Sequence, residues 1–275
     1  MQRDAALDFD PLARQLQRLA ARRGWLMAAE ERVDSTNERV RALVDSADGA
    51  DRMPAVVVAA EQTAGVGRRG ARWLSTPGDG LWFSLAVAAG AELPEASPGL
   101  ALAGRLAGVL QGRGVPATVK WPNDLYLEGG KLGGLMIERR RLRGTVCWLA
   151  GVGINWRHPV GPLDADYRAS AISEAADGRP GDAIELALAL IEAAVTVMAR
   201  PEQWPAEIAR LSCAHLGFER PVAVERGDGA CVTGIAGAIC PDGALEITLS
   251  DGRVIRAGAH DRVRVLAEHT GHDSY

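Results

Sequence analysis

The sequence predicts an α+β fold: a mixed, largely antiparallel sheet flanked by helices, followed by a small β-barrel. Three observations carry this. Strand-like runs between residues 117 and 156 follow one another across short turns, so neighbouring strands return antiparallel and do not cross through helices as in a doubly wound fold. Helical stretches stand before and after them. From about Phe218 the texture changes to short alternating strands with glycine turns, down to about Leu266. The expected division is residues 1–217 and 218–275.

The elements follow in order. Leu12, Leu16 and Leu19 are helically spaced and place an amphipathic helix at 11–23. Asp34-Ser35-Thr36-Asn37 is a cap-type cluster opening a second helix over Glu38 to Val44. Ala55 to Ala60 is a valine-rich buried strand. Residues 61–80 hold glycine, arginine and proline without helical period and form a long loop. Gly80 to Ala88 is the next strand. Pro98 starts a helix over 98–112. Strand-like runs then cover Ala117 to Leu127, Leu132 to Arg139 and Thr145 to Trp156, with a turn at Gly129-Gly130. Helices are expected at 182–199 and 202–216.

Bulk properties narrow the function. The chain has 275 residues, enough to bury a core without disulfides, and a net charge of −4, which lacks the basic excess of a nucleic-acid binder. Cys147, Cys213, Cys231 and Cys240 show neither C-x-x-C spacing nor a Cys/His ligand pattern, so they read as reduced thiols of a cytoplasmic protein. The start has early acids and no apolar core, so no signal peptide is expected. The longest apolar runs, such as Leu81 to Ala89, are too short to span a membrane.

Four segments carry chemistry. Gly65-Val66-Gly67-Arg68-Arg69-Gly70 has the literal G-x-G-x-x-G form, but a dinucleotide site needs a helix opening within it, and Pro77, Gly78 and Gly80 oppose one. The spacing fits an anion-binding loop with Arg68, Arg69 and Arg72 as counter-charges, and equally a solvated basic loop. Lys120-Trp121-Pro122-Asn123-Asp124, then Lys131-Leu132-Gly133-Gly134, fits either a ligand-facing bend or an ordinary hairpin. Gly151 and Gly153, before Ile154 and Asn155, bare one face of a strand, for a ligand or for tight packing. Ser35-Thr36-Asn37 fits a helix N-terminus that holds a polar group, or simple capping.

Taken together in this order, Asp34–Asn37, the Glu61–Trp73 stretch, Lys120–Asp124 with Lys131–Gly134, and Gly151–Asn155 resemble the biotin protein ligase family over about residues 30–160. Arg220-Pro221-Val222 and Gly234 to Gly243 look like its SH3-like C-terminal domain. The resemblance implies a class II synthetase-like catalytic domain that forms biotinyl-5′-AMP from biotin and ATP with Mg2+, then transfers biotin to a lysine of a biotin carboxyl carrier protein. It places Ser35, Thr36, Asn37 and Gln62 at the biotin head group. Gly65, Val66, Gly67 and Arg68 fall in a loop that folds over biotin and adenylate, and Gly134, Gly151 and Gly153 on the pocket floor. Arg68 and Lys131 are the implied catalytic cations. Arg69, Trp73, Asn123, Asp124, Lys131 and Asn155 stand toward the nucleotide, and Asp124 toward Mg2+. Val66 and Ala71 occupy positions where the family commonly has arginine, which bears on loop affinity more than on reaction class. About thirty residues precede Asp34, too few for a helix-turn-helix domain, so the short, ligase-only form without DNA binding is expected. A homodimer stays open. The rival readings are a lipoate or octanoate ligase or transferase of related fold, and a non-catalytic biotin sensor.

Overall fold

The structure, a computed structural model, describes residues 6–46, 53–67, 70–90, 94–158, 168–175, 183–227, 229–258 and 260–266. The elements are α1 (Phe9–Arg23), β1 (Leu26–Val33), α2 (Thr36–Asp45), β2 (Ala55–Gln62), β3 (Gly80–Ala88), α3 (Pro98–Gln111), β4 (Thr118–Lys120), β5 (Asp124–Leu127), β6 (Gly130–Leu142), β7 (Thr145–Asn155), α4 (Ala183–Met198), α5 (Trp204–Leu211), β8 (Pro221–Glu225), β9 (Cys231–Ile239), β10 (Leu245–Leu249), β11 (Val254–Ala257) and β12 (Arg262–Val265).

A seven-stranded sheet runs in the order β1-β2-β3-β7-β6-β5-β4. β1 and β2 pair parallel and every other neighbour pairs antiparallel, giving the expected mixed sheet. Alternation sorts the side chains of β3 and β7. Leu81, Phe83, Leu85 and Val87, with Ala150, Val152 and Ile154, join Leu12 and Leu16 of α1, Leu102 and Leu106 of α3, and Leu190 of α4 in the main core. Ala86, Cys147 and Leu149 face the other way, with Val57, onto Val40 and Val44 of α2. The functional face is the one carrying α2.

A second sheet of five antiparallel strands runs β11-β10-β9-β8-β12. It is pinned to the first part of the chain. The Ile239 amide donates to Ser212 O (3.0 Å), and the buried Trp121 Nε1–H donates to Gly243 O (2.9 Å). Gly243 has φ +94°, and a Cβ there would stand 2.5 Å from the Ser97 Cβ, so this turn packs on the start of α3 only as glycine.

Four differences from expectation have physical causes. β1 was not expected, because LMAAEERV neither alternates nor clusters β-formers; its pairing with the valine-rich β2 makes it a strand. The Ala117–Leu127 run is broken into β4 and β5 by the Trp121–Asn123 turn, where Pro122 has no N–H to give. The helix expected over 202–216 is a 3-10 turn, Pro201–Gln203, followed by α5. α5 stops because the chain beyond it pairs with β4: the Leu216 amide donates to Val119 O at 2.9 Å. The turn before β6 is centred one residue earlier than Gly129-Gly130, with Glu128 at φ +48° and Gly129 at +76°. Two left-handed central residues match the twist of a tight hairpin.

Candidate active site

The floor of the site follows from strand register. Ala59, Trp82, Gly153, Gly134 and Asp124 stand opposite one another across β2, β3, β7, β6 and β5. The next rung holds Val57, Ser84, Gly151 and Met136. The glycines of β6 and β7 therefore share one bare patch. Two of the chain's own side chains approach it. A Cβ at Gly153 would meet the Trp73 ring at 2.6 Å, and one at Gly151 would meet Asn37 Oδ1 at 2.4 Å. Beside this floor is a cavity of about 580 Å³.

One end of the cavity is polar and uncharged. Ser35 is the N-cap residue of α2 by backbone, but its hydroxyl makes no capping bond. It lines the cavity with Thr36, Asn37 and Gln62. Gln62 Oε1 accepts from the Thr36 amide (2.8 Å) and hydroxyl (3.0 Å), and its Nε2–H donates to Ser75 Oγ (2.9 Å). The buried Ser84 hydroxyl lies 2.8 Å from Thr36 Oγ1 and also bonds Asn37. Trp73 and Trp82 meet edge to face, with ring centres 6.2 Å apart. The Nε1–H of each is buried without an acceptor among the described residues, an arrangement that carries a desolvation penalty until something accepts from it.

The other end is charged. Lys131 Nζ stands 2.8 Å from Asp124 Oδ1 and 5.7 Å from the centre of the Trp73 ring. Lys120 Nζ donates to Tyr126 Oη at 3.2 Å. Burial pushes the Lys120 ammonium below the ordinary lysine range; Asp124 opposes this, and the charges of Lys131 and Arg262 add to it. Asn123 Nδ2–H donates to Leu135 O (2.6 Å), tying the Trp121–Asn123 turn to β6. Arg72 lines the cavity as well, and so do Asp261, Arg262, Val263 and Arg264 of the second sheet.

The glycine loop is a narrow hairpin. Val66 bridges to Arg72, Gly67 N–H donates to Ala71 O (2.7 Å), and Trp73 N–H donates to Gly65 O (2.8 Å). Gly67 N–H is thus already satisfied and not open to an anion. A Cβ at Gly65 would stand 2.6 Å from Trp73 O, so glycine is required for this close approach. No α-helix begins among the described residues of 61–79, which removes the dinucleotide-binding reading. Arg68 and Arg69 lie outside the described residues.

Of the expected site residues, Ser35, Thr36, Asn37, Gln62, Val66, Gly67, Trp73, Asn123, Asp124, Lys131, Gly134, Gly151 and Gly153 come together around this cavity. Gly65 and Asn155 are not among its walls. Asn155 is buried, and its Nδ2–H donates to Ser170 O (3.0 Å) and Lys131 O (3.3 Å). These bonds tie the end of β7 to the start of β6 and to the segment at Ser170. Sequence reasoning passed over Ser84 and Trp82, and gave no role to Lys120. A lone serine inside the buried run Leu81–Val87 was the available signal for Ser84. Nothing in the local sequence around 261–264 signals its place in the wall, because that depends on how the second sheet docks.

Residues 30–155 match the Biotin/lipoate A/B protein ligase family. The Mycobacterium tuberculosis biotin–[acetyl-CoA-carboxylase] ligase is 29% identical over 261 residues, covering 90% of this chain and 93% of that protein. The bifunctional ligase/repressor BirA of Bacillus subtilis is 32% identical over 128 residues, and the match spans 44% of this chain but only 39% of that protein. The biotin protein ligase of Aquifex aeolicus, solved with biotin and ATP, superposes with a TM-score of 0.71 at 23% identity, over 88% of this chain and 99% of that one. Its likeness is one of fold. The match to the Biotin/lipoate A/B protein ligase family is thus confined to residues 30–155, while the similarity to the Mycobacterium tuberculosis ligase runs through most of the chain.

Proposed function

We propose that this protein is a biotin protein ligase, which makes biotinyl-5′-AMP from biotin and ATP and then biotinylates a lysine of a biotin carboxyl carrier protein. The observation carrying this is the two-ended cavity. A neutral polar cluster and a cationic cluster face each other across one glycine-bare floor. Biotin has the matching polarity: an uncharged ureido head and a carboxylate tail. Ser35, Thr36, Asn37 and Gln62 hold the head, and the Trp73 indole beside them supplies apolar wall.

In the first step a biotin carboxylate oxygen attacks the α-phosphorus of ATP. The bond from that phosphorus to the bridging oxygen breaks, and pyrophosphate leaves with the negative charge. Fixed cations lower this barrier because they need not reorganise as charge develops. Lys131 is assigned the first, and its pairing with Asp124 and its position over the Trp73 face support this. Arg68 is assigned the second cation. In the second step the neutral amine of the acceptor lysine attacks the mixed anhydride and AMP departs, so no enzyme nucleophile is needed.

Among the described residues no three His, Cys, Asp or Glu side chains converge as a metal cage. A magnesium ion held by one carboxylate and by phosphate oxygens fits that donor set, with Asp124 as the carboxylate. Bound there, Mg2+ supplies charge neutralisation on the phosphates. Residues 1–217 are assigned to this chemistry and 218–275 to an SH3-like domain. No helix among the described residues is long and apolar enough to cross a membrane, and we place the activity in the cytoplasm.

The test is pyrophosphate release from ATP and Mg2+ with biotin, lipoate or octanoate supplied in turn, followed by label transfer to a carrier domain. Release with biotin, and transfer, is the expected result. Release only with lipoate or octanoate would move the protein to the lipoate or octanoate reading.

A further inference from the structure

On the side of the seven-stranded sheet that carries α3, a notch of about 270 Å³ lies between α3, α5 and β4. It follows from where α5 ends. Gly104 is covered: a Cβ there would stand 3.1 Å from Glu207 O and 3.2 Å from the Leu211 side chain. Gly108, one turn further along α3, is not covered. A Cβ there would meet nothing within 4 Å, because α5 stops at Leu211 and the chain turns away to pair with β4. Ala107, Val109, Val119 and Leu211 give the notch an apolar side. Its charged residues are Arg105, Arg210 and Glu207, and the Glu207 side chain is only 6% exposed. Glu207 Oε2 accepts from Arg210 Nη1 at 3.2 Å, but Oε1 stands 3.6 Å from Arg105 Nη1, beyond hydrogen-bond length. Arg105 Nε–H is buried and has no acceptor among the described residues. A buried acceptor on α5 and a buried donor on α3 are thus both left unsatisfied, which is costly until something bridges them.

We propose that this notch binds a small neutral carboxamide or ureide, whose N–H donates to Glu207 Oε1 while its carbonyl accepts from Arg105 Nε–H. Neutrality follows from the charges present. A carboxylate would enter beside the buried Glu207 charge, and an ammonium beside two guanidiniums, so each meets a like charge in a poorly hydrated place. An amide carries donor and acceptor side by side with no net charge, and it satisfies both atoms at once. Size sets the rest. Drug-sized ligands occupy roughly 300–1,000 Å³, so a notch of about 270 Å³ takes a fragment, an amide with a short apolar group against Val109, Val119 and Leu211. The site is separate from the main cavity and does not depend on the ligase reading. β4 touches both: Thr118 and Val119 line the notch, and Lys120 lines the cavity.

The test titrates isobutyramide at about 1–50 mM into the full-length protein, read by ligand-observed NMR with and without excess biotin. Isobutyrate and isobutylamine, of similar shape, carry the two charges. The amide should bind with roughly millimolar affinity, and each charged analogue about fivefold or more weakly. Gly108→Leu places a side chain in the open space and should abolish binding. Thermal stability should hold or rise, since glycine is the poorer helix former. Gly108→Ala, too small to close the notch, should leave affinity within about twofold. Arg105→Lys keeps the positive charge beside Glu207 but removes the Nε–H, and should weaken binding about fivefold or more. It decides alone if Gly108→Leu does not fold. Wild type that does not bind the amide overturns the proposal and leaves the notch to water. Binding that survives Gly108→Leu, is unchanged in Arg105→Lys, or yields to biotin also overturns it, because the probe then sits elsewhere. Isobutyrate bound as tightly as the amide overturns it too, and would make the two arginines an anion site.

Discussion

The indole of Trp73 lies on Gly153 so closely that a Cβ at position 153 would be 2.6 Å from the ring. Gly153→Ala must therefore push Trp73 off the floor. We expect biotin affinity to fall by about tenfold or more, with a stability loss of about 1–3 kcal/mol from overpacking. Calorimetry and tryptophan fluorescence read the two effects. Gly134→Ala should be milder, because a Cβ there meets Trp73 at 3.4 Å. Equal biotin affinity in Gly153→Ala and wild type would detach Trp73 from ligand binding.

Lys131 and Asp124 are a mostly buried pair, 14% and 21% exposed. Lys131→Ala should lower the rate of pyrophosphate release by about 10²–10³, the scale of losing one fixed group at a developing charge. It also leaves the Asp124 carboxylate unpaired in a poorly hydrated site, which destabilises the fold. Adding Asp124→Asn should restore stability while activity stays low. A double variant less stable than Lys131→Ala would show that Asp124 has other partners that matter more.

His215 sits between the sheets, with its ring edge-to-face on Phe218 and its Nε2 bonded to Gly237 O. Burial pushes its pKa below the ordinary histidine value, and the Gly237 hydrogen bond only partly opposes this. The unfolded chain then binds a proton that the folded one resists. Stability from this group is full above the unfolded value of about 6.5 and is lost as pH falls from there toward the folded value. Melting temperatures measured across that window should fall more steeply for wild type than for His215→Gln. Identical slopes would mean that His215 does not titrate between the two states.

Lys120 offers a proton-linkage signature. Its ammonium is held below the ordinary lysine range by burial, and an incoming polyphosphate favours the charged form. Pyrophosphate binding should take up protons where Lys120 titrates, below the ordinary lysine range, and affinity should weaken as pH rises through it. Calorimetry in buffers of different ionisation heat measures the uptake. Lys120→Arg, which stays charged, should abolish it.

Much of the site was legible because it is local. The order of Ser35–Asn37, Gln62–Trp73, Lys120–Asp124 and Gly151–Asn155 brought forward segments that meet around one cavity, and the alternation of Gly151 and Gly153 announced a bare face. What could not be read was long-range. β1 is a strand only because β2 lies beside it. Asn155 sits in a motif, yet spends its amide on the Ser170 and Lys131 carbonyls, a choice set by a segment fifteen residues away. The wall from β12 depends on docking contacts, such as Trp121 to Gly243, between residues 122 positions apart.

Because Gly151 and Gly153 alternate with Val152 and Ile154, the floor of the cavity and the main core are written on opposite sides of one strand. Inserting a single residue into β7 before Gly151 would turn valine and isoleucine into the cavity and glycine into the core at one stroke. Pocket and core are therefore bound to a common reading frame. Loops around this site can lengthen or shorten as a lineage diverges, but β7 can change only by substitution.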